Sequence, residues 1–247
     1  MFTLVVFYET QATPTLALVA GLADPHVRVA ADDIYVPDAL PFLLAYMVVG
    51  DVYITQARIE SPSLRSLANI DVCPLNLALE PSSPPLLVDI HSVPKALAGR
   101  EGLNLRVSGS QAVRTFGLIW LGDGPIVPVT GEVFTVKAKS ATTLVAYTWT
   151  NGAITFEQTL PTGRYQVVGM RAKSAGLVAA RLVFSGGAWR PGCVGCDAYS
   201  DVPNDVFRAG NLGVWGEFNH DLPPTVDFLS VSADTSEEIW LDLIKIA

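Results

Sequence analysis

Leu160-Pro161-Thr162-Gly163-Arg164-Tyr165-Gln166-Val167-Val168-Gly169, followed after a polar step by Leu177-Val178-Ala179-Ala180-Arg181-Leu182-Val183-Phe184, has an echo earlier in the chain. There the sequence runs Leu40-Pro41, then Tyr46-Met47-Val48-Val49-Gly50, then Val52-Tyr53-Ile54-Thr55-Gln56-Ala57-Arg58-Ile59. The landmarks keep their order: Leu-Pro, Tyr-x-Val-Val-Gly, a short connection, Ala-Arg-Ile/Leu. The copies start about 120 residues apart, half the chain, and self-similarity at a fixed spacing signals a repeated structural unit. The flanks agree. Ala12-Thr13-Pro14-Thr15-Leu16-Ala17-Leu18-Val19 resembles Ser140-Ala141-Thr142-Thr143-Leu144-Val145-Ala146. Arg106-Val107-Ser108-Gly109-Ser110-Gln111 leads into Phe116–Trp120 as Ser230-Val231-Ser232-Ala233-Asp234-Thr235 leads into Ile239–Ile244.

Helical periodicity is almost absent; Leu64–Ala68 and Pro94–Ala98 offer one or two turns at most. Short runs of Val, Ile, Thr, Tyr and Phe recur instead, bounded by Gly, Pro, Asn, Asp and Ser, which is the pattern of an all-β sandwich or barrel. The first half has eight such runs, near 2–8, 15–20, 27–36, 43–49, 52–59, 85–90, 103–108 and 113–121. The second half also has eight, near 127–137, 143–149, 152–158, 164–172, 176–184, 212–219, 226–232 and 238–246. Asn151-Gly152 predicts a hairpin turn, since both residues tolerate positive φ. Each half has one long late connection, Ser61 to Pro84 and Ser185 to Asn211; loops of that length are functional or packed as structures of their own. Gly122-Asp123-Gly124-Pro125 reads as a linker, giving an N-terminal domain 1–122 and a C-terminal domain 123–247. The expected fold is all-β: two tandem eight-stranded jelly-roll β-sandwiches, each of two four-stranded sheets face to face.

Half of the 247 residues are apolar and only 16% are charged, so core material is ample and part of the surface is expected to meet partners. The net charge is −8 and no basic cluster exists, which disfavours direct nucleic-acid binding, where phosphate neutralisation dominates. Phe42–Val49 is too short to span a bilayer, and Met1–Glu9 lacks the positive n-region of a secretion signal. Folding in a cytoplasm is expected, and three cysteines fit no disulfide framework.

Chemical motifs are sparse. Cys193-Val194-Gly195-Cys196 has the spacing of a zinc or dithiol pair, but structural zinc needs four ligands and only Cys73 and His220 are left to supply them. Asp197, Asp201 and Asp205 recur every fourth residue and, with carbonyls, are weak calcium candidates; they do not match an EF-hand loop. His26, His91 and His220 share no motif, no Gly-x-Ser-x-Gly elbow occurs, and Gly186-Gly187 leads to no phosphate-loop Lys. A glycosidase needs two facing carboxylates, and Glu132, Glu157 and Glu217 lie on expected strands. No catalytic residue and no cofactor is therefore assigned. Trp189, Tyr199, Phe207 and Trp215, together with Arg190, gather in and after the second long connection; aromatics and Arg are enriched at stable interfaces, so these form the expected subunit interface.

Two similar jelly rolls in tandem, with long connections in matching places and no active-site motif, resemble the double jelly-roll major capsid proteins of the adenovirus and internal-membrane tailless phage lineage. The resemblance covers the whole chain and rests on architecture and the internal repeat. It implies a non-enzymatic structural protein of the virion capsid, folded in the host cytoplasm, whose homotrimers have six-fold-like symmetry and tile an icosahedral shell. The implied partners are copies of itself within the trimer, neighbouring capsomers and other capsid proteins such as a vertex protein. Many relatives enclose an internal lipid membrane; this chain lacks the basic or amphipathic N-terminal extension some of them use against it. The alternative reading from the residues is a carbohydrate-binding or carbohydrate-cleaving β-sandwich.

Overall fold

Strands form at most of the apolar, β-branched runs. The computed structural model of the chain describes residues 1–50, 53–65, 70–72, 74–76, 87–196 and 205–246. It divides into two units, Phe2–Pro125 and Ile126–Ala247, Met1 grouping with the second. Among the described residues no helix is long and apolar enough to cross a membrane.

The first unit contains β1 (Phe2–Gln11), β2 (Ala17–Val19), the short hairpin β3 (Val29–Ala30) and β4 (Asp33–Tyr35), β5 (Phe42–Gly50) and β6 (Ile54–Glu60). A single helical turn, α1 (Pro62–Arg65), precedes β7 (Ile70–Val72), β8 (Pro74–Asn76), β9 (Val88–Asp89), β10 (Lys95–Ala96), β11 (Gly102–Gly109) and β12 (Val113–Gly122). One sheet runs β1-β12-β5, with β8, β9 and β10 all on β5. The other runs β2-β11-β6-β7, with the β3–β4 hairpin added on β11. Along β11, Leu103, Leu105 and Val107 are buried while Asn104, Arg106 and Ser108 are half-buried, the alternation of a strand covered on one face. Phe2–Phe7, Leu43–Val49 and Phe116–Leu121 are buried residue after residue, as apolar runs interrupted only by Thr3 require. The two sheets meet closely: a Cβ added at Gly117 on β12 would collide with the Leu105 side chain of the facing sheet.

The second unit contains β13 (Phe134–Ser140), β14 (Thr150–Gly152), β15 (Thr155–Phe156), β16 (Arg164–Lys173), β17 (Leu177–Val183), β18 (Gly192–Cys196), a 3-10 turn at Asp205–Phe207, β19 (Gly216–Asn219), β20 (Thr225–Ser230) and β21 (Glu237–Lys245). Its sheets run β13-β21-β16-β19 and β14-β20-β17-β18, with β15 on the edge of β13. Strand for strand this is the first unit again. β1 with β12, β12 with β5, β5 with β9, β2 with β11, β11 with β6 and β6 with β7 pair antiparallel. So do β13 with β21, β21 with β16, β16 with β19, β14 with β20, β20 with β17 and β17 with β18. Two four-stranded sheets, with the first strand beside the last and the chain alternating between sheets, make a jelly roll; the protein carries two in tandem.

The repeated landmarks take matching places. Ala57-Arg58-Ile59 lies on β6 opposite Leu105-Arg106-Val107, and Ala180-Arg181-Leu182 lies on β17 opposite Val226-Asp227-Phe228. The two landmark glycines both mark close backbone approach. A Cβ at Gly50 would sit 2.6 Å from the Arg114 carbonyl oxygen, and one at Gly169 would sit 2.9 Å from the Phe207 carbonyl oxygen and from Arg208 Cα. Gly169→Ala is therefore expected to destabilise by about 2 kcal/mol, the usual cost of overpacking against atoms that cannot yield. The urea midpoint measures it.

Each roll keeps an eight-stranded framework, to which β3, β4, β8 and β10 are added in the first and β15 in the second, but the membership of that framework differs from the sequence expectation in the same way twice. The strand after β6 and the strand after β17 are absent from the expected runs, because they sit inside the long connections as short segments, Ile70–Val72 and Gly192–Cys196. Both connections then cross to the facing sheet in parallel: β8 joins β5, and the end of β18 joins β16 through Ala172↔Gly195 and Lys173↔Cys196. The 27–36 run is only the β3–β4 hairpin. The 143–149 run forms no strand. Tyr147 takes φ 62, and the amides of Leu144 and Tyr147 donate to Asp234 O and Ser230 O. Asn151-Gly152 is no turn either. It lies within β14 opposite Val226 and Asp227, and the Asn151 amide donates to Asp227 Oδ1 at 2.8 Å and Thr225 Oγ1 at 3.0 Å.

Candidate functional site

The second long connection leaves β17 at Phe184 and is pinned again where it returns at 205–213. Asp242 on β21 does the pinning. Its carboxylate accepts from Arg208 Nε at 2.7 Å, Arg208 Nη2 at 2.8 Å, the Ala209 amide at 2.8 Å and Thr135 Oγ1 at 2.7 Å. Asp242 is 2% exposed. Burial alone would raise its pKa; the Arg208 hydrogen bonds, with those of Thr135 and Ala209, outweigh that and hold it below the usual carboxylate value. Three backbone bonds continue the seam: Gly210 N to Val168 O, Trp215 N to Val167 O and Val129 N to Gly210 O.

Cys193 and Cys196 lie on the crossing strand β18, both buried. Burial, with Cys196 nearby, pushes the Cys193 thiol far above its ordinary value, so the free thiol is a poor nucleophile. Cys73, Asp197, Tyr199 and Asp201 lie outside the described residues, and Asp205 opens the 3-10 turn. Among the described residues no three His, Cys, Asp or Glu side chains come together in a way that could hold a metal ion.

The aromatic group divides. Phe207 and Trp215 are 2% and 7% exposed and Arg190 is 7% exposed, so they pack this unit and have little area left for a partner. Arg190 Nη1 donates to the Gly187 and Trp189 carbonyls, shaping the turn after Phe184. Trp189 itself is half-buried on that turn. Two of the three glutamates are engaged separately, Glu157 with Lys139 at 2.5 Å and Glu217 with Arg164 and Gln166, while Glu132 is exposed. His91 Nδ1 lies 2.6 Å from Asp89 Oδ1 on the surface.

Two polar groups escaped the sequence reading. Arg181 is fully buried on β17, its Nε donating to Asp227 Oδ2 at 3.0 Å and its guanidinium 4.0 Å from the centre of the Trp149 ring. Glu237 is fully buried at the start of β21. A signal for Glu237 existed: it shares the phase of Ile239, Leu241 and Leu243, which all point into the core.

No family model matches the chain, and no curated protein matches it. Among solved structures it is similar to the major capsid protein P2 from bacteriophage PM2, at 10% identity over 100% of this chain and 98% of that chain, with a TM-score of 0.27. At that score no assignment is drawn from the match.

Proposed function

We propose that this chain is a major capsid protein, a non-enzymatic structural protein whose homotrimers tile the shell of an icosahedral virus. The observation that carries the reading is the duplication itself: the same six strand pairings and the same crossing strand, twice in one chain. Three such subunits place six alike rolls around one axis, which lets a trimer occupy a hexagonal position. The charged fraction of 16% leaves wide uncharged surface for contacts between subunits, and closed symmetry keeps those contacts from growing without limit. The net charge of −8 keeps assembled particles apart in solution and away from nucleic acid. Trp189 and the connection that carries it supply part of the subunit contact, while Arg190, Phe207 and Trp215 hold that connection's base in shape. Neighbouring capsomers and other shell proteins are the remaining partners, and the virion capsid is the location.

Mass measurement on the purified protein tests this. Light scattering is expected to give a trimer of about 79 kDa, three times the 26.4 kDa chain, or a much larger shell visible by electron microscopy. A monomer that persists across concentration and salt overturns the reading.

A further inference from the structure

One end of the second roll opens into a cleft of about 1060 Å³, formed by the ends of β13, β16 and β21 and the connections beyond them. Asp234 builds its rim. Its Oδ2 accepts from Ser174 Oγ at 2.5 Å and the Ala175 amide at 3.1 Å; its Oδ1 accepts from the Thr235 amide at 2.8 Å and Ser236 Oγ at 3.3 Å. Asp234 is thus saturated, and those bonds, the Ser174 hydroxyl first, hold its pKa below the ordinary value.

Glu237 lines the same cleft and is 0% exposed. Neither of its carboxyl oxygens makes a hydrogen bond of good geometry among the described residues, although the Ser140 hydroxyl and the Thr142 amide lie close enough to favour its charged form a little. Ser140 lies directly opposite on β13, but its hydroxyl is turned to Thr142 Oγ1 at 3.1 Å. The β14 backbone closes in behind that pair, where a Cβ at Gly152 would sit 2.7 Å from Ser140 Oγ and 2.6 Å from Thr142 Oγ1. Burial, and after it the charge of Asp234, push the Glu237 pKa up by more than its own amide, the Ser140 hydroxyl and the Thr142 amide lower it. The chain's own cations do not answer it. Lys139 and Lys173 also line the cleft, but both sit opposite Glu238, in the alternate phase to Glu237, and neither donates to its carboxyl. Lys139 pairs with Glu157, and Lys137 with Glu238.

A buried carboxyl with no partner is costly, and folded proteins keep such groups satisfied. The missing partner must bring positive charge and several N–H donors. A metal ion fits poorly, because Asp234 is already saturated and no three-ligand group is present among the described residues. An ammonium or guanidinium group fits well, since Ser140, Thr142 and Ser174 line the cleft with hydroxyl acceptors beside the carboxylate. We propose that this cleft is a binding site for an organic cation, whose ammonium or guanidinium group pairs with Glu237. The cation is either a free polyamine-like molecule or a Lys or Arg side chain of a second copy of this chain. The site lies wholly within one roll and does not depend on the capsid reading.

Agmatine, which carries both cationic groups, is the probe, with 1,4-butanediol as the neutral control. Wild-type protein is expected to bind agmatine saturably by calorimetry and to melt higher in its presence. Glu237→Gln is expected to bind it at least tenfold more weakly, and butanediol is expected to do nothing to either. Wild-type affinity should also fall as the pH is lowered and the carboxyl takes up its proton, a readout that needs no variant. Sedimentation separates the two sources. If the cation belongs to a second copy, Glu237→Gln weakens self-association and agmatine competes with it; if it is a free molecule, association is the same in both proteins while binding differs. Absence of saturable agmatine binding together with unchanged association in Glu237→Gln overturns the proposal, as does equal binding by both proteins.

Discussion

Asp227→Ala is expected to cost about 4 kcal/mol, because it strands a buried cation. Arg181 has a side chain with no exposed surface, and its Nε donates to Asp227 Oδ2 at 3.0 Å. Trp149 lies over the guanidinium at 4.0 Å, so the cation also has an aromatic face against it. Removing Asp227 takes the carboxylate away from a guanidinium that water cannot reach, and it frees the Asn151 amide that ties the edge strand β14 to β20. The loss corresponds to a fall in melting temperature of roughly 8–16 °C for a chain of this size. Asn151→Ala, at an exposed position, removes only the second part and should cost about 1 kcal/mol. The combination Arg181→Met with Asp227→Leu should regain most of the loss, since a buried ion pair replaced by apolar groups of similar volume is often neutral or better. A double-mutant cycle by urea denaturation reads the coupling directly. If Asp227→Ala and the double variant lose the same amount, the stranded charge is not the cause.

Arg181 also shows how far the sequence could be read. Its place in Ala180-Arg181-Leu182 was legible as an echo of Ala57-Arg58-Ile59, because strand periodicity and repeat order are local properties of the chain. What surrounds each arginine was not. Arg58 sits opposite Arg106, with Glu60 within reach of both; Arg181 sits opposite Asp227 and under Trp149. Those partners lie up to about 50 residues away in sequence, and no short-range pattern reports them. The same limit explains Asn151-Gly152. Asn-Gly is a turn signal when the amide side chain has only local partners; here it is held by Thr225 and Asp227, and the pair stays extended within β14. The crossing strands were missed for a different reason. Gly192-Cys193-Val194-Gly195-Cys196 carries two glycines, which are depleted in strands, and changes sheet midway. Glycine is needed there: a Cβ at Gly192 or Gly195 would sit 2.6 Å from the carbonyl oxygen of Ala180 or Leu177. The expected interface group was read from residue type alone. Burial divides it, with Phe207 and Trp215 covered inside the fold and Trp189 left half-buried on the turn after Phe184.

Asp242→Asn is expected to lower stability by about 3 kcal/mol at pH 7, with the difference from wild type shrinking in acid. Asn retains one acceptor oxygen but loses the charge that holds the Arg208 guanidinium, and its NH₂ faces donors that the carboxylate accepted from. Because the folded-state pKa of Asp242 lies below the unfolded value, its contribution is fully present above the unfolded carboxylate range near pH 4. That contribution drains away as the pH falls through the folded value. Wild type should therefore lose stability steeply on that acid limb, and Asp242→Asn should lose less. Glu237 contributes with the opposite sign. Its folded pKa is raised, so as an unliganded group it costs stability as the pH climbs through the unfolded value and on to the folded one, and Glu237→Gln should remove that cost. Urea midpoints measured from pH 3 to pH 8 for the three proteins separate the two carboxyls. The loss in Asp242→Asn should also be local in its first effects. Asp242 ties Arg208 and Ala209 to the strand, so amide exchange should rise first at Ala209, Gly210 and Trp215, where the long connection returns to the roll. If exchange rises uniformly across β16 and β21 instead, Asp242 supports the sheet as a whole rather than anchoring the connection. On the capsid reading, that connection is the part that meets the neighbouring subunit, so the first outcome carries a further consequence. Asp242→Asn should weaken trimer formation at pH 7 beyond what its folding loss explains, because a contact surface that must first be ordered binds more weakly by the cost of ordering it.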